Sequence, residues 1–225
     1  MKTSLLKTTW AIARKDLVAE LRSRELIGSM VLFALLAVLI FSFALELDRV
    51  AREEAVSGVL WVTVVFASIL GLNRSMALER EQGGMDALLL APIDRSAVYV
   101  GKLIGNYIFA LSVGLLLLPL MTLLYNITLI DGWVLLVLVL GTFGVSTTGT
   151  LLAAMTVQTR ARESLLPIAL LPVVLPVLLT AVRATNGIIA GAPMDDWGNW
   201  PQILLVVDVI YVVICFLMFP YVVEE

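Results

Sequence analysis

Long stretches without a single charge dominate this sequence and decide what it can fold into. Five runs, 26–45, 55–73, 103–130, 132–159 and 164–182, contain no Asp, Glu, Lys or Arg, and a sixth, 197–223, is interrupted only by Asp208. A helix needs about 20 apolar residues to cross a bilayer, and in lipid it satisfies its own backbone where water cannot. The chain therefore reads as all-α, a polytopic membrane protein forming one transmembrane domain over 1–225, with six spans near 26–45, 55–76, 99–125, 133–157, 164–182 and 202–223. Composition agrees: 60% of residues are hydrophobic, 15% are charged and mean hydropathy is +1.01, which excludes a soluble globular domain.

Lys and Arg set the topology, because cytoplasmic segments carry their excess. With both termini cytoplasmic, the inner segments hold twelve of the fifteen cations, and the outer loops keep only Arg49, Arg52 and Arg183 beside seven carboxylates. Neither face has a block of cations, so nothing supports nucleic-acid binding. The first 25 residues are mostly polar and precede a full-length span, unlike a cleaved secretory leader. Within them Leu6, Trp10, Ala13, Leu17 and Leu21 recur at helical spacing, with Lys7, Arg14, Lys15 and Arg22 mostly on other faces, so 1–25 reads as an amphipathic helix at the inner interface.

Several chemistries are absent. There is no His and only one Cys, Cys215, so the chain has no His base, His-ligated metal or intrachain disulfide. No phosphate-binding Gly-x-x-x-x-Gly-Lys-Ser/Thr loop appears, so the chain is not its own ATPase. No catalytic residue, metal site or bound cofactor is expected.

The longest inner loop carries Glu79, Arg80, Glu81, Gly83, Gly84, Asp86, Leu88, Leu89, Pro92 and Arg95. Gly83 and Gly84 can end the second span, residues 85–90 can make a short amphipathic turn, Pro92 stops it, and Asp94 or Ser96 can cap the third span. The segment reads either as a docking element, a cytoplasmic helix between spans 2 and 3, or as an ordinary charged loop.

Gly101 and Gly105 form a Gly-x-x-x-Gly pair flanking Lys102, and Gly141, Gly144 and Gly149 alternate with hydroxyl residues in the fourth span. Such small residues let helices approach closely, and packing is the reading we favour over a substrate path. Pro167, Pro172 and Pro176 in the fifth span predict a bent or broken helix, acting as a static kink or a moving joint. Asp208 is an intramembrane functional candidate; otherwise it reaches outward to water or pairs with Arg183.

The order of these features resembles a type-2 ABC exporter permease: a basic interfacial helix with Ala13-Arg14-Lys15-Asp16-Leu17 and Glu20-Leu21-Arg22, six spans, and Glu79-Arg80-Glu81-x-Gly83 leading to Pro92 and Gly101-Lys102. Within that group, Leu140-Gly141-Thr142, Arg162-Glu163-Ser164-Leu165-Leu166-Pro167 and Leu170-Leu171-Pro172-Val173-Val174-Leu175-Pro176-Val177 are similar to the cytochrome c maturation permease B (CcmB) family of haem exporters. The resemblance implies a non-ATPase permease subunit in a bacterial inner membrane, working beside an ABC ATPase that holds the ATP, a second copy of itself, haem-handling membrane subunits and a haem chaperone. ATP hydrolysis would then drive release of the haem-loaded chaperone, with 79–96 as the coupling element docked on the ATPase. Competing readings are a type-2 exporter for a lipid, drug or polysaccharide, an intramembrane enzyme, or a scaffold.

Overall fold

The computed structural model describes residues 5–45, 49–81, 93–156 and 162–222, and these hold eight helices and no strand. They are α1 (Leu5–Ser23), α2 (Glu25–Ala44), α3 (Arg49–Glu81), α4 (Arg95–Tyr125), α5 (Gly132–Thr156), α6 (Arg162–Ile189), the single turn α7 (Met194–Trp197) and α8 (Asn199–Val222). Six stretches are long and apolar enough to span a membrane, lying in α2, α3, α4, α5, α6 and α7–α8.

Burial sorts these helices into centre and periphery. In α3 and α5, 72% of the apolar stretch is buried, against 22% in α2 and in the last span. α5 contacts α3, α4, α6 and α8, so it forms the axis on which the others pack. Its glycines supply the closeness. A methyl on Gly141 would run into the Trp61 ring, one on Gly144 into Asp208 Oδ1, and one on Gly149 into Leu72. Trp61 is fully buried and its Nε1 donates to Thr185 Oγ1 at 3.0 Å, so the ring cannot withdraw without losing that bond. We expect Gly141→Ala to destabilise the bundle by about 1–3 kcal/mol, the usual range for overpacking, measured as a lower unfolding temperature in detergent. Hydroxyls along α5 are largely spent on their own helix: those of Thr142, Thr147, Thr148 and Thr150 donate to carbonyls one turn back.

Two expectations need correction. The fifth span does not stop at 182, because α6 continues through Arg183 to Ile189. Its guanidinium lies 5.1 Å from the centre of the Trp200 ring, which holds a cation at the membrane edge without ending the helix. The three prolines do not break α6 either, since Pro167, Pro172 and Pro176 lie inside one continuous helix. Pro172 and Pro176 are exposed, so the missing donors fall on the outer side, and Tyr211 of α8 donates to the Val173 carbonyl at 2.6 Å within this stretch.

One end of the bundle gathers Trp133, Trp197 and Trp200, with the rings of Trp133 and Trp197 edge to face at 5.4 Å. That aromatic group suits a membrane–water interface. The opposite end gathers Lys15, Lys102, Arg74 and Arg95 with their partners.

Candidate functional site

The cation-rich end is built by a turn and a docked helix. α1 ends at Ser23, and Arg24, whose φ of 55° lies in the left-handed region, turns the chain into α2. Glu20, one turn earlier and buried, accepts from the amides of Leu26 (3.3 Å) and Ile27 (2.8 Å). A carboxylate thus satisfies two donors that open a helix, where the helix dipole also favours negative charge.

α1 lies along the first turns of α4. Thr9 Oγ1 donates to the Ala97 carbonyl at 3.4 Å, and a methyl on Gly101 would meet Ile12 Cβ at 2.8 Å and the Thr9 carbonyl at 3.0 Å. The Gly101 and Gly105 pair therefore packs against α1, not against another span. Beside it Lys102, 2% exposed, reaches Asp16 Oδ2 of α1 at 2.8 Å and Glu79 Oε1 of α3 at 2.5 Å. Lys15 Nζ joins the same Glu79 oxygen at 2.5 Å and Asp16 Oδ1 at 3.4 Å. Two amines and two carboxylates therefore tie α1, α3 and α4 together in a formally neutral cluster.

Neutrality is what makes the arrangement tenable, since a charge removed from water must be paired. Burial alone would lower the Lys15 pKa, but its hydrogen bond to Glu79 and the charge of Asp16 outweigh this and hold it above 10.5. Raised in this way, its contribution to stability is complete at neutral pH and fades only as pH climbs through that higher value. A cleft of about 90 Å³ adjoins the cluster, lined by Lys15, Asp16, Glu20, Ser75, Glu79 and Lys102 among others, with room for several waters.

The residues expected at the docking loop are placed as follows. Glu79 is in the cluster, and Arg80 and Glu81 close α3. Arg95 begins α4 and donates to the Pro220 carbonyl of α8 at 3.4 Å, while Asp94 caps α4 by accepting from the Ser96 amide at 2.8 Å. Gly83, Gly84, Asp86, Leu88, Leu89 and Pro92, and with them the expected short helix between spans 2 and 3, lie outside the described residues. Lys102, Lys15 and Asp16 entered the sequence reading only as parts of motifs, and their pairing with one another and with Glu79 was not foreseen. The available signal was a lysine held between two glycines, two turns inside a span, with few acids near enough to neutralise it.

Asp208 is buried in α8 against Gly144, and neither carboxyl oxygen has a hydrogen-bond partner among the described residues. It reaches neither water nor Arg183, whose guanidinium is over Trp200 instead. Neither the outward reach nor the Arg183 pair expected from the sequence is therefore present among the described residues. Cys215, seven residues on, is buried in the core.

Comparison with known proteins bears on this arrangement. A family model described as "CcmB protein" matches residues 7–224. Among curated proteins, one named "Heme exporter protein B" from Rhodobacter capsulatus is 30% identical over 189 residues, covering 82% of this chain and 87% of the relative. Proteins of the same name from Bradyrhizobium diazoefficiens and Pseudomonas aeruginosa are 29% and 27% identical, covering 82% and 84% of this chain and 83% and 85% of their own lengths.

Proposed function

This chain belongs to the CcmB family, and from that premise we propose that it is the permease subunit of a haem-export complex serving cytochrome c maturation in the bacterial inner membrane. The observation that carries the mechanical part of this reading is the ion cluster at the root of the 79–96 loop. An ABC ATPase docked on that loop acts at the end of α3; Glu79 links α3 to α4 through Lys102 and to α1 through Lys15. Hydrolysis on the ATPase then moves three helices together and drives release of the haem-loaded chaperone at the opposite face. Both termini are cytoplasmic, and a second copy completes a twelve-span unit.

Haem is cargo of the complex in this reading and is not retained by this subunit. The chain offers no His, and its one Cys is buried in α8, so the usual axial ligands are lacking. The cleft beside Lys102, at about 90 Å³, is also far below the roughly 300–1,000 Å³ of small-molecule pockets.

The test is complementation with copurification. In a strain lacking its own copy, the tagged chain should restore haem-stained c-type cytochromes and bring an ABC ATPase with haem-handling membrane proteins through mild detergent. An ATPase alone, with haem staining unrestored, would point to an exporter of another cargo. Charge reversal at Glu79 and Glu81 should displace or uncouple the ATPase; unchanged association and unchanged cytochrome maturation would remove the coupling role of this loop.

A further inference from the structure

The ion cluster uses only one side of α1, and the other side has a pattern of its own. Thr9, Ile12, Ala13 and Glu20 are buried on the bundle. At about 100° per residue, Leu6, Trp10 and Leu21 fall within an arc of about 60° beside that face, and Arg14, Lys7 and Arg22 occupy the next arc of about 80°. The three apolar side chains are 77%, 63% and 73% exposed. All three cations are exposed too, and none has an ion pair or side-chain hydrogen bond among the described residues.

Three large apolar groups would not be left in water on a helix whose other side is seated on the bundle through Thr9, Ile12, Ala13 and Glu20. Apart from Val18, 39% exposed within the cationic arc, their separation from the cations in adjacent strips matches a partner that is apolar at one depth and anionic at the next. A bilayer surface has that layering: the apolar strip enters the acyl boundary, Trp10 sits at headgroup level, and the cations meet phosphates. A protein partner would have to supply an apolar groove running beside an acidic ridge. We infer that the outward side of α1 is a binding surface for anionic phospholipids of the leaflet at the Lys102 end of the bundle, with Lys7, Arg14 and Arg22 as the headgroup contacts. This surface is independent of what the permease carries.

Full-length protein in mild detergent, offered equal amounts of phosphatidylglycerol and phosphatidylcholine with matched acyl chains, tests the assignment by native mass spectrometry of the lipid adducts. A cation at an anionic surface favours binding by roughly fivefold, so phosphatidylglycerol adducts should be in excess by at least about tenfold. The excess should vanish in the triple variant Lys7→Gln/Arg14→Gln/Arg22→Gln, whose buried face is untouched. Arg14→Gln alone, too mild to unfold the chain, should reduce it by about two- to fivefold. Equal adducts of the two lipids would overturn the inference, as would an excess that the triple variant leaves intact. Loss of a copurifying protein from the triple variant, with lipid preference unchanged, would make this a protein-docking face and overturn it equally.

Discussion

Replacing Lys102 with methionine should cost about 3–5 kcal/mol of stability, the penalty for leaving buried carboxylates without their cation. Lys102 is the most deeply buried member of the cluster, and it makes the shorter of the two contacts to Asp16 while sharing Glu79 with Lys15. Without it, Lys15, which is half in solvent, would have to balance two acids alone. The informative comparison is the double variant Lys102→Met/Glu79→Gln. It removes one more charged group, yet it should be more stable than Lys102→Met, because the acid that Lys102 neutralised is removed with it. Unfolding in detergent of the two single variants and the double gives the coupling directly. If the losses simply add, the three helices are held by packing, and the cluster is not their connection.

At Asp208 the expectation runs the other way. A carboxyl at the centre of a membrane helix costs about 2.5–3.5 kcal/mol and less toward either end; Asp208 lies between the Trp200 end and the middle of α8, and no hydrogen bond among the described residues offsets it. Asp208→Ala, which puts no added bulk against Gly144, should therefore raise stability by a part of that amount, and Asp208→Asn, nearly the same shape, should leave it no lower. We expect both variants to reach the membrane in normal amounts and both to lose most haem-stained cytochrome c in the complementation assay. Stability gained with activity lost is the signature of a group kept for its function. Normal haem staining in Asp208→Asn would reduce the residue to a tolerated flaw in the packing of α5 against α8.

The spans were legible because the absence of charge over some 20 residues has one physical outlet, and no tertiary detail alters it. The glycines of α5 were legible as close-packing positions for a similar reason, though not their partners: nothing along the chain says that Gly141 meets Trp61 or that Gly144 meets Asp208. Where the sequence reading erred, it gave local rules too much authority. The fifth span was closed at 182, where the uncharged run stops at Arg183, yet α6 continues to Ile189, and of the bent or broken helix that three prolines suggested, the broken form is not the one α6 adopts. The ion cluster was illegible for a plainer reason. Lys102 and Glu79 are 23 residues apart and Lys102 and Asp16 are 86 apart, so the pairing exists only after three helices have met. Asp208 stood out as the lone charge of its run; its isolation in the fold did not.

The junction of α1 and α2 has a mechanical meaning beyond its hydrogen bonds. Arg24 supplies the bend and the Glu20 carboxylate clasps the first amides of the next helix, so the joint is a braced elbow and not a loose tether. A flexible linker there would let α1 swing while α2 stood still. With the elbow braced, leverage applied to either arm is delivered to the other, and α2, the least enclosed of the early spans, becomes the arm with the most freedom to travel through lipid.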